Sequence, residues 1–450
     1  MRARVVLAFA GVSLYLVIAQ PAPLRSEDLD AAPIHYSTAA TDNRITRLQQ
    51  QIDRGERTLR FDRERGGYLR DLLKVLEVPE SSQSLVFSKT SLQRHRISPK
   101  TPRAVYFNDD VYVGFCLRGD VLEISAVDPQ LGTVFYTLDQ RPDRAIRFER
   151  NTENCLICHA SSANQGFPGH LVRSVFTDRQ GYPILSAGSR RTTHASPFEE
   201  RWAGWYVSGT HGDMEHQGNF IVPEGRSPYR VSNQAGQNVT DLSPFFTTSH
   251  YLTPHSDIVA LMVLEHQVEG HNRLARAGLL TRQALHHETV LNRELNEPAD
   301  KRWPSTTRRI QAAGEPLVEY LLFSYEFPLK APILGTTDFA KQFSQRGPAD
   351  SRGRSLRQLD LNKRLFVYPC SYLIYSKAFD ALPAEVREYV YRRLWDILTQ
   401  NDRRPEFAYL SATDRQAILE ILRDTKANLP TYWKPASAQT SAPPTAAGMP

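Results

Sequence analysis

The sequence predicts an α+β fold, with antiparallel β segments in the middle of the chain and a mainly α-helical part after them. Between residues 103 and 138, short apolar runs are separated by Asn-Asp, Gly-Asp and Asp-Pro pairs, as turns separate antiparallel strands. After residue 256 the apolar residues recur at helical spacing instead. The chain has 450 residues, of which 41% are hydrophobic and 23% charged, so it can form two or three ordinary domains.

The N-terminal and middle elements follow from two different periods of the apolar residues. Between residues 42 and 78, apolar residues three and four positions apart predict two surface helices. Three or four antiparallel strands are then expected at residues 103–138, where the period changes to two. A second β-rich stretch is predicted further along, with candidate strands at residues 171–176, 182–185, 202–207 and 219–222.

The last third of the chain is predicted to be helical. Ser256 is a good N-cap for a long helix that continues to about Leu295, with an interruption near Gly278. Further helices are expected at residues 316–325, 383–399 and 411–424, the last with a cap formed by Ser411 and Asp414. The expected organisation is a helical segment at 20–100, a β-rich region at 101–250, a mainly helical region at 251–434 and a disordered tail at 435–450.

The first residues predict export from the cytoplasm. Arg2 and Arg4 precede an uncharged run that ends at Ala19, and Val17 and Ala19 suit the −3 and −1 positions of a cleavage site. Because the run is shorter than the roughly 20 residues that cross a bilayer, a signal peptide at residues 1–19 is favoured over a retained anchor. We expect an exported protein without stable membrane insertion, periplasmic if the cell has two membranes.

The distribution of charge argues against a dedicated nucleic-acid binder. The chain has 55 basic and 49 acidic residues and a net charge of +6. The basic residues are scattered among the carboxylates, whereas a nucleic-acid interface gathers them in one stripe. No nucleic-acid partner is therefore expected.

The strongest functional signal is the run Cys155-Leu156-Ile157-Cys158-His159. Two thiols at this spacing can add to the two vinyl groups of one haem, and the adjacent histidine can then bind the iron as an axial ligand. A structural zinc site would need a second ligand pair, which the sequence lacks. A thioredoxin-like dithiol would follow a buried strand, whereas residues 143–154 are polar and charged. The sequence therefore predicts one covalent haem c, attached between the β segments.

The ligand on the other face of the iron is left open by the sequence. The candidates are Met214, His211 and His216 in one loop, and Met262, His266 and His271 on the long predicted helix. Each of them also has an ordinary interpretation, as a loop histidine, a core methionine or a hydrogen-bonded structural histidine. Arg173, Arg190 and Arg191 could pair with the haem propionates or be ordinary surface arginines.

Two further cysteines, Cys116 and Cys370, remain once the haem has taken its pair. In an exported protein they could form a disulfide that closes a very long loop. The alternative is two separate buried thiols, because the sequence does not show whether their Cα atoms come within disulfide range.

Cys155, Cys158 and His159 resemble the attachment site of c-type cytochromes. The blocks at residues 256–267 and 364–375 are similar to a group of large exported bacterial proteins that contain a cytochrome c domain with a single C-x-x-C-H. That likeness spans most of the chain and implies a shared architecture. Dihaem peroxidases carry two such motifs, whereas this chain has one.

We therefore expect an exported c-type cytochrome that binds one haem and passes electrons to a redox partner protein whose identity the sequence does not give. The alternatives are a haem-dependent oxidoreductase of the peroxidase or oxygenase type, or a gas sensor, in which the distal face of the iron stays open. The length of the chain favours these alternatives. The single haem and the lack of a recognisable acid–base set favour electron transfer, and no catalytic residue is predicted.

Overall fold

In this computed structural model, residues 29–64 and 66–434 are described. The predicted signal peptide at residues 1–19 and the predicted disordered tail at residues 435–450 lie outside the described residues. An antiparallel sheet of seven strands stands between an N-terminal helical segment and a C-terminal helical half. The predicted α+β class is therefore confirmed.

The sheet has the strand order β6-β5-β4-β3-β2-β1-β9, and every neighbouring pair in it is antiparallel. Four small strands form two separate ribbons, β7 with β8 and β10 with β11. The strands are β1 Ser84–Val86, β2 Arg103–Phe107, β3 Val111–Phe115, β4 Val121–Asp128, β5 Gly132–Asp139, β6 Phe148–Arg150, β7 Arg173–Ser174, β8 Arg190–Arg191, β9 Trp205–Tyr206, β10 Gly209–Thr210 and β11 Leu334–Gly335.

The helices lie before, beside and after the sheet in sequence. They are α1 Arg44–Asp53, α2 Leu69–Val75, α3 Leu156–His159, α4 Ile258–Glu294, α5 Pro304–Leu321, α6 Phe339–Ser344, α7 Lys377–Asp380, α8 Ala384–Leu398 and α9 Ala412–Thr425. In the helical half, α4 packs on α5, and α5 packs on α8.

The predicted strands at residues 103–138 are confirmed as β2 to β5. The second predicted β-rich stretch is confirmed only in part: the candidates at 171–176 and 202–207 contain the two-residue strands β7 and β9, whereas those at 182–185 and 219–222 contain no strand. Trp202, Gly204 and Asn219 adopt positive φ inside two of the predicted runs and interrupt them, since a strand needs extended backbone at every position. Loop packing buries apolar residues of this stretch such as Phe176 and Phe220, whereas Tyr182 and Leu185 are exposed.

Alternation along the strands divides the apolar residues between two cores. On β2, Ala104 and Tyr106 belong to a core that contains α1 and α2, whereas Val105 and Phe107 belong to a core that contains α4. This is the expected consequence of a period of two. The predicted N-terminal surface helices are confirmed, because each buries only one apolar face, through Ile45 and Leu48 in α1 and Leu69, Leu72 and Leu73 in α2.

The long helix α4 differs from its prediction at two points. Its N-cap is Asp257, whose carboxylate accepts from the N–H groups of Val259 and Ala260. Ser256 instead bridges β1 and β9, since its Oγ accepts from Leu85 N–H at 2.9 Å and donates to the Tyr206 carbonyl at 2.6 Å. The helix runs for 37 residues without an interruption at Gly278, because most of its length is buried.

The other predicted helices differ mainly at their starts. The helix expected at residues 316–325 begins earlier, at Pro304, and contains Pro316, because proline suits the first turn of a helix and the helical spacing already begins there. The helix expected at 383–399 is confirmed as α8. The predicted cap of α9 is confirmed as a capping box between Ser411 and Asp414. In the described part of the chain, we find no helix with both the length and the apolar character of a membrane span.

Candidate functional site

The C-x-x-C-H motif forms a single helical turn, α3, that follows the edge strand β6. Cys155 is the N-cap of α3, and Cys158 and His159 end it. Residues three and four apart lie on the same side of a helix, so the Cys155 side chain is a helical neighbour of both Cys158 and His159. Both cysteines are free; Cys155 is half-buried and Cys158 is exposed.

The His159 ring is held by the loop that follows the motif. Its Nδ1 lies 2.8 Å from the carbonyl oxygen of Gly169. Because a carbonyl can only accept, Nδ1 carries the proton and Nε2 carries the lone pair. In return, the Gly169 N–H donates to the His159 carbonyl at 3.1 Å, and the Asn164 amide donates to the same oxygen at 3.2 Å. The residue is therefore fixed at both its ring and its backbone.

The Nε2 atom of His159 is uncommitted. None of the described residues forms a hydrogen bond with this atom. It is not one of the fully buried nitrogens that lack a partner, so it is not fully buried. Burial lowers the pKa of His159, and the hydrogen bond to Gly169 offsets part of that effect. The imidazole is therefore neutral at physiological pH, which is the form that binds a metal.

The ring packs against a second buried histidine and an aromatic residue of the sheet. The Phe135 ring lies 4.6 Å from the His159 ring, and the His170 ring lies 6.5 Å from it, centroid to centroid. Both ring nitrogens of His170 are taken by hydroxyl groups, Nε2 by Ser125 at 2.6 Å and Nδ1 by Thr133 at 3.2 Å. His170 is therefore a structural neighbour of His159 and has no free nitrogen for a metal.

The Cys155 thiol lacks the lowered pKa of an attacking redox cysteine. Burial raises the pKa of the Cys155 thiol to about 11, and Glu123 adds to this effect. Thioredoxin-like enzymes instead lower the pKa of their attacking cysteine so that it ionises. Ile157, between the two cysteines, is 73% exposed, so apolar surface beside the thiols is available to be covered.

These residues fit a covalent haem. The donor set comprises two free thiols on one face of a helical turn and a neutral imidazole whose Nε2 is uncommitted, as the group requires. Within residues 29–64 and 66–434, no cluster of three or more His, Cys, Asp or Glu side chains is arranged to hold a metal ion by itself. A structural zinc ion would need such a cluster.

The sequence candidates for the distal ligand lie elsewhere. The Met214 sulfur accepts from the Lys330 N–H at 3.4 Å, and Nε2 of His211 accepts from the Asn238 N–H at 3.1 Å. None of these partners belongs to the attachment site. The structure therefore does not bring Met214 or His211 together with His159, and their ligand role stays a prediction.

The remaining candidates also have partners of their own. His216 Nδ1 accepts from the Gly218 N–H at 3.0 Å, and Met262 is buried in the helical core. Nδ1 of His266 lies 2.9 Å from Nδ1 of His194. Nδ1 of His271 lies 2.9 Å from the Tyr112 hydroxyl. The Tyr112 ring also packs against the ring of His170, which lies beside His159.

The arginines predicted for the propionates have structural partners. Arg190 pairs with Glu200 at 3.2 Å and Arg191 with Glu269 at 3.1 Å. Arg173 donates to the Ser189 hydroxyl at 2.8 and 2.9 Å. These contacts favour the interpretation of ordinary structural arginines.

Sequence reasoning missed the charged pair next to the motif. Arg103 on β2 pairs with Glu123 on β4 at 2.9 Å, and both act electrostatically on Cys155 and His159. The guanidinium crosses β3 over Gly114, where a Cβ would overlap it. A glycine inside an otherwise apolar strand was the available signal, because it marks the close approach of another group.

The hypothesised disulfide between Cys116 and Cys370 is wrong, because both thiols are free and buried. Cys370 lies in the helical core, whereas Cys116 follows β3, near Glu123 and Arg103. Burial raises the pKa of each thiol to about 12, so neither is reactive in the folded protein.

Comparison of the chain with protein-family models, with curated proteins and with solved structures finds no match in any of the three. Function must therefore be inferred from the residues of this chain and their geometry.

Proposed function

We propose that this protein is a c-type cytochrome that binds one haem through Cys155 and Cys158, ligates its iron with His159 and transfers electrons. The observation that carries the proposal is the contact between His159 Nδ1 and the Gly169 carbonyl. This contact leaves the lone pair of the ring on Nε2. His159 directly follows Cys158, and the free thiols of Cys155 and Cys158 lie on the same face of one helical turn.

When bound, the haem supplies one-electron chemistry through its iron. The residues of the chain attach it, orient it and set its environment. Gly169 holds the His159 ring in one orientation and increases the basicity of Nε2, as acceptors behind a ligating histidine do. Phe135 packs against the same ring, 4.6 Å between ring centroids, and helps to orient it.

Export is part of the proposal. Residues 1–19 resemble a signal peptide. Covalent attachment of haem to a C-x-x-C-H motif also takes place outside the cytoplasm, where the attachment machinery works. A periplasmic protein of this kind exchanges electrons with a partner protein of that compartment. No feature of the scattered surface charge supports a nucleic-acid partner.

A second candidate is a haem-dependent oxidoreductase or gas sensor with an open distal face. The observation that favours it is the placement of Met214 and His211, whose sulfur and Nε2 are engaged by Lys330 and Asn238. If neither residue moves to the iron, the sixth coordination position stays free for a small molecule.

The test of attachment is the visible spectrum and intact mass of the protein produced with haem-attachment machinery. The wild type should retain haem after denaturation, and Cys155→Ser with Cys158→Ser should lose it. Cys116→Ser with Cys370→Ser is the matched control, since it removes two buried thiols outside the motif and should retain haem. Absence of covalent haem from the wild type overturns the proposal.

Carbon monoxide separates the two candidate functions. A low-spin spectrum that does not change with carbon monoxide indicates a closed iron and an electron carrier. A high-spin ferric form that binds carbon monoxide after reduction indicates an open distal face, and electron transfer as the primary role would then be wrong.

A further inference from the structure

The loop that carries Gly169 is tied to the long helix α4 by one side-chain amide. Asn272 accepts from the His170 N–H at 3.0 Å and donates to the His170 carbonyl at 2.8 Å. Both polar atoms of the amide are therefore used on the backbone of one residue. Asn272 is buried and lies more than a hundred residues from His170 in sequence.

The same loop is tied to the sheet by the His170 ring. Nε2 of His170 lies 2.6 Å from the Ser125 hydroxyl on β4, and Nδ1 lies 3.2 Å from the Thr133 hydroxyl on β5. His170 is thus held by its backbone from the helix and by its ring from the sheet. A residue fixed from two sides has little freedom to shift, so the carbonyl immediately before it is fixed as well.

Gly169 itself is enclosed by two amides. A Cβ at this position would overlap Nδ2 of Asn164 and Oδ1 of Asn272. Asn164 also donates to the Phe167 carbonyl at 2.8 Å and to the His159 carbonyl at 3.2 Å. The absence of a side chain therefore lets both amides close on the loop whose carbonyl accepts from His159.

We propose that Asn272 is a positioning residue for the iron ligand: through His170 it fixes the Gly169 carbonyl, and through that carbonyl it fixes the proton and the orientation of the His159 ring. The proposal deepens the haem function proposed above and rests on it. It assigns to the helical half of the molecule a part in setting the properties of a site that lies at the sheet.

The direction of the effect follows from ligand basicity. A histidine that donates Nδ1–H to a carbonyl is a stronger electron donor at Nε2, and a stronger donor favours the ferric over the ferrous state. Loss of the Asn272 clamp weakens that hydrogen bond. It should therefore raise the midpoint potential and increase the population of the tautomer with the proton on Nε2.

The test compares Asn272→Leu with Asn292→Leu. Asn292 lies on the same helix and is also buried. It clamps another loop, since it donates to the Lys301 carbonyl at 2.9 Å and accepts from Trp303 Nε1 at 2.6 Å. Its loss should destabilise the fold to a similar degree without touching the haem loop. Asn272→Ser serves as a second variant if the leucine prevents folding.

Two readouts distinguish positioning from a merely structural role. The first is the ¹⁵N spectrum of the His159 ring in the full chain produced without haem-attachment machinery, which reports which nitrogen holds the proton. The second is the midpoint potential of the haem-loaded protein. Asn272→Leu should move both readouts, and Asn292→Leu should move neither.

An unchanged tautomer and an unchanged potential in Asn272→Leu would overturn the inference, as would equal shifts in Asn292→Leu. Failure of the haem function is visible separately, because the wild type would then carry no covalent haem. In that case the ¹⁵N spectrum still decides whether Asn272 fixes the His159 proton.

Discussion

Arg201, in the loop between β8 and β9, and Glu265, on α4, form a buried ion pair with 2.5 Å between Nη1 and Oε1. Their side chains are 2% and 1% exposed. The other carboxylate oxygen accepts from Trp202 Nε1 at 3.0 Å, and the remaining guanidinium groups donate to the carbonyls of His194 and Ser196. Both charged groups are fully satisfied, so removal of one leaves the other buried without a counter-charge.

At pH 9, where the Glu265 carboxylate is ionised although burial raises its pKa to about 7, Glu265→Gln should lower the free energy of unfolding by about 3–5 kcal/mol, the cost of leaving one member of a buried pair uncompensated. Urea unfolding measures it. Glu294→Gln is the control on the same helix, because the Arg293–Glu294 pair is exposed and should contribute less than about 1 kcal/mol. If both substitutions lower the free energy of unfolding equally, the buried pair contributes no more to stability than the exposed pair.

Two glycines of α4 should respond in opposite directions to alanine. A Cβ at Gly278 would lie 3.5 Å from the nearest Leu382 atom, an ordinary contact, so Gly278→Ala should stabilise the protein by about 0.5–1 kcal/mol through helix propensity. A Cβ at Gly270 would overlap Cδ1 of the buried Leu373, so Gly270→Ala should destabilise it by about 1–3 kcal/mol. Thermal or urea unfolding checks both. A loss of stability in Gly278→Ala would contradict a continuous helix at that position.

Local patterns predict local structure in this chain. The capping box of Ser411 and Asp414 and the turns between β2 and β5 involve residues only a few positions apart, so the sequence shows them directly. Gly278 led to the wrong prediction of a helix interruption. One glycine destabilises a helix by only about 1 kcal/mol, and the packing of α4 between the sheet and α5 stabilises the helix by more than that.

The candidate site likewise combines residues that the sequence shows directly with residues that only the fold brings together. Cys155, Cys158 and His159 are adjacent in the chain, so their spacing alone predicts the chemistry. Gly169 and Asn272 acquire their roles only when the loop, the sheet and α4 come together. No periodicity or spacing connects an asparagine of a long helix to a carbonyl more than a hundred residues away, which is why sequence reasoning missed both.

The free thiols predict a simple titration. In the denatured, non-reduced haem-loaded protein, Cys116 and Cys370 should both react, because the structure leaves them unpaired. In the native protein both should react slowly, since burial raises their pKa to about 12. Without haem, the exposed Cys158 should react first. A haem-loaded protein with no titratable thiol after denaturation would mean that the two cysteines are bonded after all.

Glu326 should make the stability of the protein fall as the pH rises. The side chain is partly buried, and its carboxylate accepts from the Leu365 N–H at 2.7 Å. Burial raises its pKa from 4.5 to about 7. Between these two values the folded state binds more protons than the unfolded state, so the contribution of Glu326 is fully present below pH 4.5 and is lost as the pH rises through about 7.

Between pH 5 and pH 8 this loss should amount to roughly 2 kcal/mol in urea unfolding. The glutamine in Glu326→Gln cannot ionise. Over the same pH interval, the free energy of unfolding of this variant should therefore change by about 2 kcal/mol less than that of the wild type. Glu224→Gln changes an exposed carboxyl and should keep the wild-type dependence. If Glu326→Gln retains the wild-type slope, the pH dependence arises from other groups, of which Glu265 is the first to examine because burial also raises its pKa to about 7.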